Sequence, residues 1–143
     1  MKRVVDAVKE NKIPPQLVIN FDQTGVKLVP TSEWTVAAEG ANQVEITGCD
    51  DKSEITAVLG ISLAGTLLPR QVIYAGKTDH CHPVFNFPSQ WNITHSENYW
   101  SNGVTMLEYA DKILVPFCNR MRRSLELPAD QKALLIFSVF ATH

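Results

Sequence analysis

The sequence predicts an α/β fold built on a mixed sheet. Three antiparallel strands form a meander, a helical crossover follows, and a fourth strand returns parallel. Three observations predict it. In residues 16–25, QLVINFDQTG, Leu17, Ile19 and Phe21 alternate with Val18, Asn20 and Asp22, the period of a strand. Residues 54–75 hold two apolar, β-branched runs around Ala64-Gly65, which read as a β-hairpin. Residues 103–125 carry apolar side chains at helical steps, and the apolar run ALLIFSVF at 133–140 follows. A helix between two strands makes a crossover, and a crossover leaves the strands parallel.

Each element has a local reason. Residues 1–11 set Val4, Val5 and Val8 apart from Lys2, Lys9 and Glu10, so a short amphipathic helix leads the chain over residues 1–13. Pro14 and Pro15 keep that helix out of the first strand. Thr24-Gly25 is expected to end the strand or turn it. VKLV at 26–29 is a short apolar strand closed by Pro30. Residues 31–40 fit a helical turn or an irregular excursion, with Trp34 filling a pocket. QVEIT at 43–47 alternates as a strand, and GCDDK at 48–52 is a polar turn. In the hairpin's second run, Pro69 predicts an edge position or a bulge.

Residues 76–102 read as a long loop with little regular structure. Its Phe85, Phe87, Trp91, Tyr99 and Trp100 are too many aromatics for a solvated linker, so the loop is expected to pack across the sheet. Within 103–125, Met106, Ala110, Ile113, Phe117, Met121 and Leu125 form the apolar stripe, and Pro116 predicts a kink or a split. The unbroken apolar character of 133–140 predicts a central strand covered on both faces.

Composition narrows the function classes. The chain has 143 residues, the size of one domain, with 45% hydrophobic and 20% charged residues. Its formal net charge of −2 is not the basic footprint of most DNA-binding domains. No stretch approaches the ~20 apolar residues of a membrane span, so no membrane partner is expected. Cys49, Cys81 and Cys118 form no CxxC pair and imply neither a disulfide framework nor a zinc ribbon, which favours a reducing compartment.

The candidate chemistry is sparse. Asp22 ends an apolar strand, where a carboxylate needs a hydrogen bond, a partner charge or a metal; an Asp there also commonly starts a turn. Asp50-Asp51 reads as a solvated turn. His80-Cys81-His82, with His95 and Cys118 elsewhere, invites zinc. Adjacent ligands do not readily face one ion, however, and the usual C-x₂₋₄-C or H-x₃₋₅-H spacing is absent. Arg120, Arg122 and Arg123 either touch phosphate or complement the helix C-terminus.

Four segments then add a resemblance: VINFDQTG at 18–25, DDKSEITAVLGISLAGTLLPRQVIYAGKT at 50–78, ENYWSN at 97–102 and QKALLIFSVFATH at 131–143. In this order and spacing they resemble the catalytic core of the pogo-like branch of the Tc1/mariner transposases, the DDE superfamily endonuclease domain. The resemblance runs over nearly all of residues 1–143. It implies an RNase H-like fold with three antiparallel strands and a fourth parallel to the first. It also implies a nuclear protein that binds, cuts and joins DNA. In the family three carboxylates hold two Mg²⁺ (or Mn²⁺) ions. One metal activates the attacking oxygen and the other stabilises the leaving one.

On this resemblance Asp22 is the first catalytic carboxylate and a metal ligand. The second belongs at Ser138, five residues before His143, so a weak neutral donor stands where an Asp is expected. Asp50-Asp51-Lys52 falls on a turn and not on the metal site. Cys81 and Pro83 lie in a loop that similar transposases share, which implies packing. The third carboxylate would lie beyond His143, and the paired helix-turn-helix module that reads DNA is missing. The expected molecule is therefore a C-terminally truncated endonuclease domain, impaired in catalysis. Its rivals are a domesticated DNA- or protein-binding module without catalysis and a non-functional fragment. Nothing in the sequence specifies an oligomeric state. Asp22 and Ser138 should meet at the ends of two adjacent parallel strands.

Overall fold

The computed structural model describes residues 2–28 and 54–138. The expectations for Trp34, for the strand at 43–47, for the turn with Cys49, Asp50, Asp51 and Lys52, and for His143 lie outside the described residues.

The chain is α/β, with a five-stranded mixed sheet. Helix α1 spans Lys2–Glu10. Strands β1 (Val18–Lys27), β2 (Glu54–Ser62), β3 (Gln71–Ala75) and β4 (Asn92–Ser96) follow. Helix α2 (Gly103–Tyr109) passes through a π-helical turn at Ala110–Leu114 into α3 (Val115–Ser124), and β5 is Leu134–Phe137. The strand order is β4-β3-β2-β1-β5. β1 pairs antiparallel with β2, and β2 with β3. β5 runs parallel to β1, and β4 parallel to β3. The expected meander, crossover and parallel return are all present.

α1 ends without glycine. Lys12 takes φ 49°, the Lys12 N–H reaches the Lys9 carbonyl at 3.3 Å, and the Ile13 N–H reaches the Val8 carbonyl at 3.0 Å. This is the Schellman closure. It turns Ile13 into the core, and the 3₁₀ turn at Pro15–Leu17 then delivers the chain to β1.

Four expectations need correction. Thr24-Gly25 does not end β1. Gly25, Val26 and Lys27 stay on the ladder because Thr56, Ile55 and Glu54 of β2 face them. Of the two readings of Pro69, the bulge holds and the edge does not: it lies in a bulge beside an interior strand. Between the Leu67–Ile61 bridge and the Gln71–Val58 pair, one side has three residues and the other two. The tight turn expected at Ala64-Gly65 is there, with Gly65 at φ 84°.

The third correction concerns residues 76–102. This segment contains a strand, β4, besides a 3₁₀ turn at Asp79–Cys81. β4 escaped periodicity because the side chains it buries are polar: Asn92, Thr94 and Ser96. They find partners on the crossover and in the loop that leads into it. Asn92 donates to Glu108 Oε2 at 3.2 Å, and Ser96 Oγ donates to the Trp100 carbonyl at 2.8 Å. Burial raises the Glu108 carboxyl, and donation from Asn92, Thr94 and Lys112 outweighs it, so Glu108 lies below its usual range. The aromatics of the segment pack largely on one another. Phe87 stacks on Trp91 with centroids 6.3 Å apart, while Phe85 is 69% exposed.

The fourth concerns β5. Among the described residues it is an edge strand and not a central one, with Leu135, Ile136 and Phe137 each more than one third exposed.

The crossover divides where Pro116 predicts. Pro116 has no N–H to give the preceding turn. The Val115 N–H bonds the Ala110 carbonyl, a π-type closure that absorbs the missing bond without ending the helix. Upstream, Asn102 caps α2: its side chain accepts from the Val104 and Thr105 amides, and Thr105 Oγ1 accepts from the Asn102 amide. The helices bury Tyr109, Ile113, Leu114, Phe117 and Cys118 against Leu17, Ile19, Phe21, Val58 and Ile73.

Candidate functional site

Asp22 owes its position to its neighbours on β1. Ile19 and Phe21 are buried, which fixes the register of the strand, and the opposite phase carries Asn20 and Asp22 to the exposed side. The β1–β5 ladder runs Val18 to Leu134, Ile19 to Leu135, Asn20 to Ile136 and Phe21 to Phe137. Phe21 and Phe137 stack with ring centroids 5.1 Å apart and planes at 17°, and Tyr109 closes on Phe21 at 5.2 Å. One further step along both strands brings Asp22 beside Ser138.

The two side chains meet as expected. Ser138 Oγ donates to Asp22 Oδ1 at 3.0 Å, although 116 residues separate them. The same oxygen accepts from the Gln23 amide at 2.9 Å. Both residues are exposed. They line a pocket of about 150 Å³ with Gln23, Ser101, Asn102 and Met106. Asp22 is the one charged side chain among the described residues that line it.

This donor set does not fit two Mg²⁺ ions. Mg²⁺ takes hard oxygen ligands in octahedral geometry, and a two-metal centre needs several carboxylates to offset its charge. Among the described residues one carboxylate is present here, and the neighbouring hydroxyl spends its proton on that carboxylate. The pair can hold a hydrated cation loosely through Asp22 and can hydrogen-bond a polar ligand. Among the described residues it offers no second acid.

The remaining candidates scatter, with one exception. Cys118 is buried in the helical layer, and burial pushes its thiol up. Arg122 is structural: its Nε donates to the Gln131 carbonyl and its Nη1 to Asn119 Oδ1, each at 2.9 Å. Arg120 lies over the Phe117 ring at 5.4 Å. The arginines therefore do not act as one patch. His80 is exposed and outside any cluster.

The exception is a group that spacing alone argued against. Cys81, His82 and His95 converge, with one donor atom of each within 4.8 Å of the other two. His95 enters from β4, an element not anticipated from the sequence. The signal that could have found it is a third histidine in the strand-length stretch NITHS, which alternates Ile93 and His95 against Asn92, Thr94 and Ser96.

No family model, no curated protein and no solved structure matches the chain.

Proposed function

We propose that this chain is a DNA-handling domain of RNase H-like fold, descended from the catalytic core of a pogo-like transposase and impaired in strand cleavage. The observation that carries the reading is the contact of Ser138 with Asp22 across two adjacent parallel strands. In the transposase core a pair of catalytic carboxylates occupies that juxtaposition. Further support comes from the strand order β3-β2-β1-β5, with β5 parallel to β1 after a helical crossover. The four resembling segments fall on this frame: β1, the β2–β3 hairpin, the cap of α2, and β5.

In this reading Asp22 is a remnant metal ligand, and Ser138 is the substitution that removed the second one. The domain keeps the scaffold and the pocket and loses the charge that would hold Mg²⁺. DNA contact survives as weak, salt-dependent binding in the nucleus, in keeping with a net charge of −2.

The test is a pair of assays on the purified chain. Fluorescence anisotropy with labelled duplex should show binding at low salt that weakens steeply as salt rises. Supercoiled plasmid should stay intact in Mg²⁺ or Mn²⁺. Nicking that Asp22→Ala abolishes would contradict the loss of catalysis. Absence of DNA binding at low ionic strength would contradict the DNA-handling role.

A further inference from the structure

At the sheet edge away from Asp22, the ends of β3 and β4 and the turn between them bring together donors that no oxygen site would use. The 3₁₀ turn Asp79–Cys81 leaves β3 and folds back so that Cys81 and His82 face β4. His95 is paired with Tyr74 on the β3–β4 ladder. The His82 ring lies 5.2 Å from the His95 ring and 5.8 Å from that of Tyr74. His82 Nε2 and His95 Nδ1 are 3.2 Å apart.

We infer that Cys81, His82 and His95 form a zinc site. The first ground is spacing. With Zn–N bonds of about 2.0 Å, a tetrahedral ion holds its nitrogens about 3.3 Å apart, and a sulfur with a bond of about 2.3 Å stands about 3.5 Å from each. The two histidine nitrogens already have that separation. The cysteine sulfur lies within 4.8 Å of both and closes the rest by a side-chain rotation.

The second ground is the donor set. One thiolate and two imidazoles suit Zn²⁺ and disfavour Mg²⁺ or Ca²⁺. The fourth position has a candidate at hand. Asp79 Oδ1 lies 3.5 Å from His95 Nδ1 and 3.9 Å from His82 Nδ1, and its side chain is 90% exposed, hence free to swing.

The third ground is the backbone. A Cβ on Gly76 would stand 2.5 Å from Cys81 Cβ and 2.6 Å from its Sγ. Glycine at the end of β3 is what allows the thiol this close to the sheet. The Gly76 amide also donates to the Ser96 carbonyl at 2.8 Å, which fixes the end of the β3–β4 ladder under the cluster. The ion ties the turn that follows β3 to the strand that ends the sheet.

The role is structural and independent of any DNA chemistry at Asp22. The test uses the whole chain, stripped with a chelator and titrated with Zn²⁺ alone, and with Co²⁺ as an optical probe. We expect one equivalent of Zn²⁺, a rise in melting temperature on binding, and a cobalt complex with tetrahedral visible bands and a thiolate charge-transfer band. Cys81→Ser should remove the charge-transfer band, and His95→Gln should weaken Zn²⁺ at least 10-fold. His80→Asn, outside the cluster, should leave both unchanged. Circular dichroism confirms that each variant is folded. The site is refuted if the wild-type chain takes up no stoichiometric Zn²⁺, or if binding and the thiolate band persist in both Cys81→Ser and His95→Gln.

Discussion

The two halves of the sheet are held by opposite chemistries. At the β1–β5 edge the strands are apolar, the rings of Phe21, Phe137 and Tyr109 join them, and the polar contact of Ser138 with Asp22 sits at the exposed end. At the β3–β4 edge the buried side chains are polar. Asn92 and Thr94 meet Glu108 of the crossover, Ser96 meets the loop before it, and the half-buried Cys81, His82 and His95 gather at the strand ends. Among the described residues, the first edge offers one hard oxygen ligand and too little charge. The second offers soft donors in a nearly complete set. Across the sheet alone the two lie three strand spacings apart, about 14 Å. A metal at one would therefore say nothing about a metal at the other.

The comparison can be broken by substitutions in each half. The largest effect is expected at Phe21, buried between Phe137 and Tyr109. Phe21→Ala should cost about 3–5 kcal/mol in urea unfolding, through lost transfer energy and the cavity left behind. A cost under about 1 kcal/mol would mean that apolar packing does not hold the β1–β5 edge.

Tyr109 tests the same half through pH. Burial pushes its phenol up to about 12 from an ordinary 10.0, and its hydroxyl has no hydrogen-bond partner among the described residues. The unfolded chain releases this proton first. The raised value therefore costs the fold nothing below pH 10, and stability is lost as pH rises from 10 toward 12. Two units amount to about 2.7 kcal/mol at most. Tyr109→Phe should remove that alkaline loss. Near neutral pH it should also gain about 1 kcal/mol, because an unsatisfied buried hydroxyl disappears. Parallel melts of wild type and variant between pH 8 and pH 12 give both quantities. A constant gap across that range would contradict the buried phenol.

At the polar edge the expected cost is smaller. Asn92→Ala removes the donor to Glu108 and the acceptor of Lys112, so it should cost about 1–2 kcal/mol. An Asn92→Ala loss equal to that of Phe21→Ala would erase the distinction between the halves. The smallest effect belongs to Ser138→Ala. The Ser138–Asp22 bond is exposed, and its removal should change stability by no more than about 0.5 kcal/mol.

The same contrast explains what the sequence revealed. Leu17, Ile19 and Phe21 announced β1 by their period, the apolar run at 133–140 announced β5, and the crossover rule made them parallel. Once the two strands are paired, the meeting of Asp22 and Ser138 follows from register. β4 gave no such signal, because a strand whose buried face is Asn92, Thr94 and Ser96 looks like loop to any hydrophobic template. The cysteine–histidine cluster was hidden for the same reason. Its third member, His95, comes from that strand, and linear spacing between His82 and His95 carries no trace of the 3.2 Å between their rings. Pro69 left two readings open, a sheet edge or a bulge. The missing N–H alone does not choose between them, and a one-residue bulge beside an interior strand removed the need for its bond.

The central claim is that Ser138 stands where a metal-binding carboxylate has been lost. Isothermal titration of Mg²⁺ into wild type, Ser138→Asp and the double variant Asp22→Ala/Ser138→Asp tests it most directly. The wild-type chain should show at most loose binding, Ser138→Asp should bind at least about 10-fold tighter as a second carboxylate joins Asp22, and the double variant should lose that gain. Wild-type Mg²⁺ binding as tight as that of Ser138→Asp would contradict the claim.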